Sequence, residues 1–167
     1  MTEIDDLAAR LRQLEDERDI SRLIASYGPA VDAGDADAAA GLWATNGTYD
    51  VEGWHMDSQN DVHAMVSSAS HQNLVTNGCC HFIGPSVVTV TKDSAVAVAE
   101  SLVLIREGES YRVWRSTANH FELQRVEGRW RIIKRTSRVL DGDPAARALL
   151  TAGLAGAAAP ALGAGLT

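Results

Sequence analysis

The sequence predicts an α+β domain, and three observations carry that prediction. Amphipathic helical patterns dominate the first half of the chain. Three long runs rich in β-branched residues follow between Ala95 and Leu140, joined by tight turns. No strand–helix–strand rhythm and no glycine-rich phosphate loop appear. Helices followed by a long curved meander tend to form a half-barrel, with the helices over its concave face. Such a cone is open at one end and can hold a small apolar ligand. The chain of 167 residues suits one domain over residues 1–154, with an Ala/Gly-rich tail over 155–167.

The elements read in order. Ile4, Leu7, Leu11 and Leu14 form a narrow apolar stripe, which Ile20, Leu23, Ile24 and Tyr27 continue with a phase shift. This is an amphipathic helix in one or two segments, and its narrow first stripe suits a partner subunit as well as its own core. Pro29 is expected to break or kink it after Tyr27. Asp35 suits the N-cap of a short helix through Trp43. Asn46-Gly47 signals a turn before a short strand, Thr48 to Val51, and residues 52–59 read as a loop. A third helix is expected from Ser58 or Asn60 to just before Asn77-Gly78, with Val62, Met65 and Val66 inward.

Gly78 to Val90 then reads as a strand bent at Gly84-Pro85. Lys92-Asp93, Glu107-Gly108-Glu109 and Glu127-Gly128 turn three long strands: Ala95–Arg106, Tyr111–Val126 and Arg129–Leu140. Asp143-Pro144 caps a last helix to about Leu154. The tail beyond it either lies free or covers the mouth of the pocket.

Charge and cysteine usage exclude several classes. The net charge of −7 argues against nucleic acid or an anionic membrane as partner, since both need a basic face. The two cysteines, Cys79 and Cys80, are strand neighbours that point to opposite faces, so they read as reduced thiols in a cytoplasmic protein. The charged N-terminus does not resemble a signal peptide, and no apolar run is long enough to span a bilayer. No cysteine–histidine metal spacing is present, so neither a metal nor an organic cofactor is expected.

His81 is the candidate for chemistry. Alternation places it with Cys79 and Ile83 on one face of the bent strand, with Cys80 and Phe82 on the other. An aspartate accepting from one imidazole nitrogen fixes the tautomer and raises the basicity of the other. Asp32 can serve as that partner; from spacing alone it reads first as a helix-terminal residue beside Gly34. His120 alternates with Asn119 and faces away from a pocket that Asn119 lines. His55 and His63 read as surface residues. His71 is placed to line the pocket or to be solvated. Trp43, Trp114 and Trp130 are core or interface residues, and Trp54 is a candidate lid over a pocket or part of a surface patch.

Several motifs in order resemble one family: Tyr27, Asp32-Ala-Gly-Asp35, Leu42-Trp43, Asn46-Gly-Thr-Tyr49, His81, Gly128-Arg-Trp130-Arg-Ile132 and Arg135. Over residues 4 to about 140 they resemble the SnoaL-like branch of the nuclear transport factor two-like superfamily. Met65-Val66-Ser67-Ser68, His81-Phe82-Ile83-Gly84 and Thr117-Ala118-Asn119 are similar to segments of scytalone dehydratases. The Tyr27, Asp32, His81 set is similar to that of bile-acid dehydratases, and the Asp32, His81 pair to that of hexachlorocyclohexane dehydrochlorinase.

The resemblance implies a cone built on a curved mixed, mainly antiparallel sheet, and cofactor-independent elimination or isomerisation. It implies His81 as general base, Asp32 as its orienting residue, and Tyr27 with Tyr49 polarising a carbonyl or holding a water. Asn119 would bind polar groups of the substrate. Scytalone dehydratases carry a second catalytic histidine on the next strand, where this chain reads Leu102-Val103-Leu104-Ile105-Arg106. That departure weakens scytalone as a substrate and leaves Arg106 as a speculative stand-in. The expected protein is therefore a dehydratase-type lyase acting on a small molecule and assembling as a homo-oligomer, with a trimer favoured by the resemblance. An isomerase or polyketide cyclase with the same dyad, and a non-catalytic binding or assembly module, are the rival expectations.

Overall fold

The computed structural model describes residues 2–161. Twelve elements follow in order: α1 Glu3–Asp32, α2 Ala36–Ala40, β1 Trp43–Val51, β2 Trp54–Met56, α3 Gln59–Ser67, α4 Ala69–Asn77, β3 Cys79–Ile83, β4 Val87–Thr91, β5 Ser94–Glu107, β6 Ser110–Val126, β7 Arg129–Val139 and α5 Pro144–Leu154. The strands form one sheet in the order β2-β1-β7-β6-β5-β3, with β4 also pairing β5. Only the β1–β7 pairing is parallel among the described pairs, so the sheet is mixed but mainly antiparallel. It curls without closing, and the N-terminal helices cover its concave face, which makes the predicted cone.

α1 is one continuous helix. It starts with a capping box between Thr2 and Asp5 and runs through Pro29, with Ile20, Ile24, Tyr27 and Val31 buried. The expected break after Tyr27 therefore does not occur. Pro29 lacks the N–H that Ala25 O would accept, yet tertiary packing of the neighbouring turns holds the helix together. It ends in a Schellman motif: Asp35 N donates to Ala30 O, and Gly34 N to Val31 O. Gly34 supplies the left-handed residue at φ 68° that this motif needs. Asp35 then turns at once into the N-cap of α2.

Four other expectations change. α2 stops at Ala40, and Trp43 begins a strand, buried in the core. Asn46-Gly47 is a bulge inside β1, because a Cβ on Gly47 would sit 2.5 Å from Ile132 O on the neighbouring strand. The 52–59 loop contains β2, a short partner for β1. The third helix is two, since Ser68 ends α3 and caps α4 through its Oγ.

The core between α1 and the sheet holds Ile20, Ile24, Val31, Trp43, Phe121 and Ile132, each essentially without exposed surface. α5 covers the opposite face, where Gly153 packs on Val98 and His120 Nε2 donates to Ala157 O. The tail through residue 161 thus follows the face away from the cone. Its remainder, 162–167, lies outside the described residues. No helix among the described residues is long and apolar enough to cross a membrane.

α1 lies close against β3 at Gly28. A Cβ there would lie 2.1 Å from the backbone oxygen of His81. Alanine improves helix propensity by about 1 kcal/mol, but relieving this contact requires the helix to move off the strand, at about 1–3 kcal/mol. Gly28→Ala should therefore lower the urea unfolding midpoint; an unchanged or raised midpoint would show that the approach carries no constraint.

Candidate active site

The end of α1 and the middle of β3 bring Asp32 and His81 together. His81 Nδ1 lies 2.6 Å from Asp32 Oδ1, and the His81 backbone N–H donates to Oδ2 at 2.7 Å. The Cys79 thiol donates to Oδ1 at 3.4 Å. The carboxylate is thus held on both oxygens and cannot rotate. A carboxylate accepts only, so Nδ1 carries the proton and Nε2 is left as the basic nitrogen. Nε2 has no hydrogen-bond partner among the described residues.

Burial raises the Asp32 pKa, but the bonds from the His81 ring, the His81 amide and Cys79, with the ring's charge, outweigh it and hold the carboxyl below its usual range. Burial, then the neighbouring Asp32 carboxylate, push the Cys79 thiol up to about 12. Cys79 is therefore a neutral donor at physiological pH and not a nucleophile.

The sequence showed no metal spacing, yet the fold gathers Asp32, Cys79 and His81 with ligand-capable atoms within 4.8 Å of one another. Their geometry is that of shared protons. With metal bonds of about 2.0–2.1 Å, a 2.6 Å oxygen–nitrogen separation would subtend roughly 80° at a zinc ion, far from tetrahedral.

The dyad opens into a cavity of about 670 Å³ between the cone and helices α3 and α4. Tyr27, Tyr49 and His81 line it, as do Ile83, Met65 and Leu74. Tyr27 and Tyr49 pack edge to face, with ring centres 6.4 Å apart, and both touch Trp43. Burial pushes the Tyr27 phenol well above its usual range, so it remains an O–H donor. Trp54 stands on β2 at the mouth, mostly exposed. Arg106 is an exposed rim residue whose Nε donates to Gly108 O. Asn119 also borders the cavity but is fully buried, and its amide is fully used: Nδ2 donates to Ser101 Oγ, and Oδ1 accepts from Arg135 and Ser137. It anchors other site residues.

Two further residues converge here. Arg135 is 3% exposed, and no carboxylate pairs with it among the described residues. Its guanidinium lies 4.3 Å from the centre of the Tyr27 ring and 4.4 Å from that of Tyr49, donates to Asn119 Oδ1, and keeps Nη1 unpartnered. The alternation of β7 conceals this residue. Trp130 and Ile132 face the core, and a bulge between the Ile132 and Lys134 pairings shifts the phase, turning Arg135 and Ser137 inward. The second is His71, which comes from α4 to within 5.7 Å of the His81 ring. Its place near a pocket was legible; its proximity to His81 depends on how α4 docks on α1. His120, as alternation predicted, faces away.

Asp32 also gives a stability signature. A carboxyl depressed in the folded state stabilises the fold above its unfolded pKa of about 3.9, and that contribution is lost as pH falls through the folded value. Asp32→Asn should lower the unfolding midpoint at pH 7, and the gap to the parent should shrink as the pH is taken below about 4. A gap independent of pH would contradict the assignment.

The comparisons agree with the fold. A model of the SnoaL-like domain matches residues 12–136. A nuclear transport factor two-like protein with a cystatin-like fold from Novosphingobium aromaticivorans is 40% identical, with a TM-score of 0.87 over 90% of this chain and 98% of its own. A protein of unknown function from Mycobacterium tuberculosis is 20% identical, with a TM-score of 0.70 over 86% of this chain and 94% of its own. A candidate scytalone dehydratase from Novosphingobium aromaticivorans, 14% identical with a TM-score of 0.65 over 76% and 85%, shares the fold. No curated protein matches the sequence. With the cone observed and the domain model spanning most of its length, the chain belongs to the SnoaL-like family of the nuclear transport factor two-like superfamily.

Proposed function

We propose that the protein is a cofactor-independent lyase that eliminates water from a small, largely apolar carbonyl compound. The observation that carries this reading is the 2.6 Å contact between His81 Nδ1 and Asp32 Oδ1 at the wall of an open cavity. A purely structural histidine in a filled cone would bond to backbone and leave no room for a ligand. His81 Nε2 removes a proton beside the carbonyl, and Asp32 stabilises the resulting imidazolium. Negative charge develops on the carbonyl oxygen, where the Tyr27 hydroxyl donates and the field of Arg135 favours it. The leaving oxygen then departs with a proton. An isomerase or cyclase would share the first step and differ in the second.

The first step can be read without the natural substrate. In D₂O, 1-tetralone exchanges its α-hydrogens, and mass spectrometry counts the deuterium. The protein should accelerate this exchange, and His81→Ala should lose about 10²–10⁴-fold. Asp32→Asn should lose nearly as much, with the double variant little worse than either, because the pair acts as one unit. Chelator should change nothing. A His81→Ala protein that is folded by circular dichroism and exchanges at the parent rate would end the proposal.

We also propose a homotrimer in the reducing cytoplasm. Ile4, Leu7, Leu11 and Leu14 are all more than half exposed on α1, and Phe82 and Val113 are likewise exposed on the sheet. Both cysteines are free. Multi-angle light scattering should give three times the chain mass, and a monomer at micromolar concentration would overturn it.

A further inference from the structure

We infer that His71 is the acid that protonates the departing oxygen, so that two histidines divide the elimination between them. This rests on the proposed role of His81 as base.

The position of the ring fixes its protons. His71 Nε2 lies 2.9 Å from Val31 O, the carbonyl that already accepts from Gly34 N at the end of α1. A carbonyl cannot donate, so Nε2 carries a proton in either charge state of the ring. The state of His71 is therefore decided at Nδ1, which has no hydrogen-bond partner among the described residues. The ring borders the cavity, and its centre is 5.7 Å from that of His81 at an interplanar angle of 39°. Groups on adjacent carbons of one substrate can thus meet different imidazoles. The ionisable groups that line the cavity with His71 are Tyr27 from α1, Tyr49 from β1, His81 from β3 and, around the rest of the wall, Glu52, Arg106, Arg115 and Arg135, with Asp32 and Cys79 bonded behind His81.

The step balances. His81 Nε2 takes the α-proton, and the C–H electron pair becomes the enolate. That pair then forms the carbon–carbon double bond as the C–O bond breaks, and the oxygen leaves as water with the Nδ1 proton of His71. His81 ends charged and His71 neutral, and proton exchange with solvent resets both.

A tether to Val31 O is the simpler role for this residue, and one substitution separates the two. His71→Gln can keep an N–H to Val31 O but has no proton to give. The probes are 1-tetralone, which only exchanges, and 3-hydroxy-1-tetralone, which loses water to give 1-naphthol, followed by fluorescence. His71→Gln should lower elimination about 10²-fold more than it lowers exchange. A His71→Gln protein that eliminates at the parent rate overturns the inference, as does a parent that exchanges but does not eliminate. A parent that does neither overturns the role of His81 and this inference with it.

Discussion

The site depends on how closely α1 lies against β3. A helix backbone and a strand backbone meet at Gly28 and His81, where no side chain fits between them. Four residues later, α1 ends at Asp32, a little over one turn further along the same axis. That spacing brings the carboxylate to His81 and lets one residue supply both an amide and an imidazole to it. The Schellman end of α1 then redirects the chain without disturbing Asp32, and the same carbonyl that closes it receives His71. One carboxylate and two imidazoles from three elements are thus referenced to one helix terminus.

A second constraint acts from the floor of the cone. Burying a guanidinium away from water without a carboxylate is costly. Here aromatic faces from α1, β1 and β6 surround it, and the Asn119 oxygen takes two of its N–H bonds. An added carboxylate would pair the charge and quench its field; leaving it unpaired keeps that field directed at the cavity. The polar cluster of Asn119, Ser101 and Ser137 is therefore support for Arg135, which explains why Asn119 has no free bonding capacity.

The sequence carried the fold and the dyad, and the limits of its legibility have physical causes. Long strands and their turns are local patterns, so β5, β6 and β7 were read to within a residue or two. His81 and Asp32 were paired largely through resemblance, since nothing in their spacing states that α1 and β3 touch. Pro29 misled because a broken ladder bond is a local cost that tertiary packing overrides. Arg135 was hidden by one extra residue in β7, and the strand state of residues 43–47 by a bulge in β1 that lets a turn signal lie inside a strand. Bulges reverse parity, and alternation cannot see them.

The short helices α3 and α4 and the hairpin strand β2 form the outer wall of the cavity, while the hydrogen-bonded Asp32–His81 pair is carried by α1 and β3. The Asp32–His81 pair and most of the outer wall therefore occupy different stretches of chain, with α4 contributing both to the wall, through Leu74, and beside the pair, through His71. Residues such as Met65, Leu74 and Trp54 can drift without disturbing Asp32 or His81. A lineage with this layout can reshape the cavity by altering a few wall residues at a time while the Asp32–His81 contact is inherited intact. Change in cavity shape is thereby uncoupled from loss of that contact.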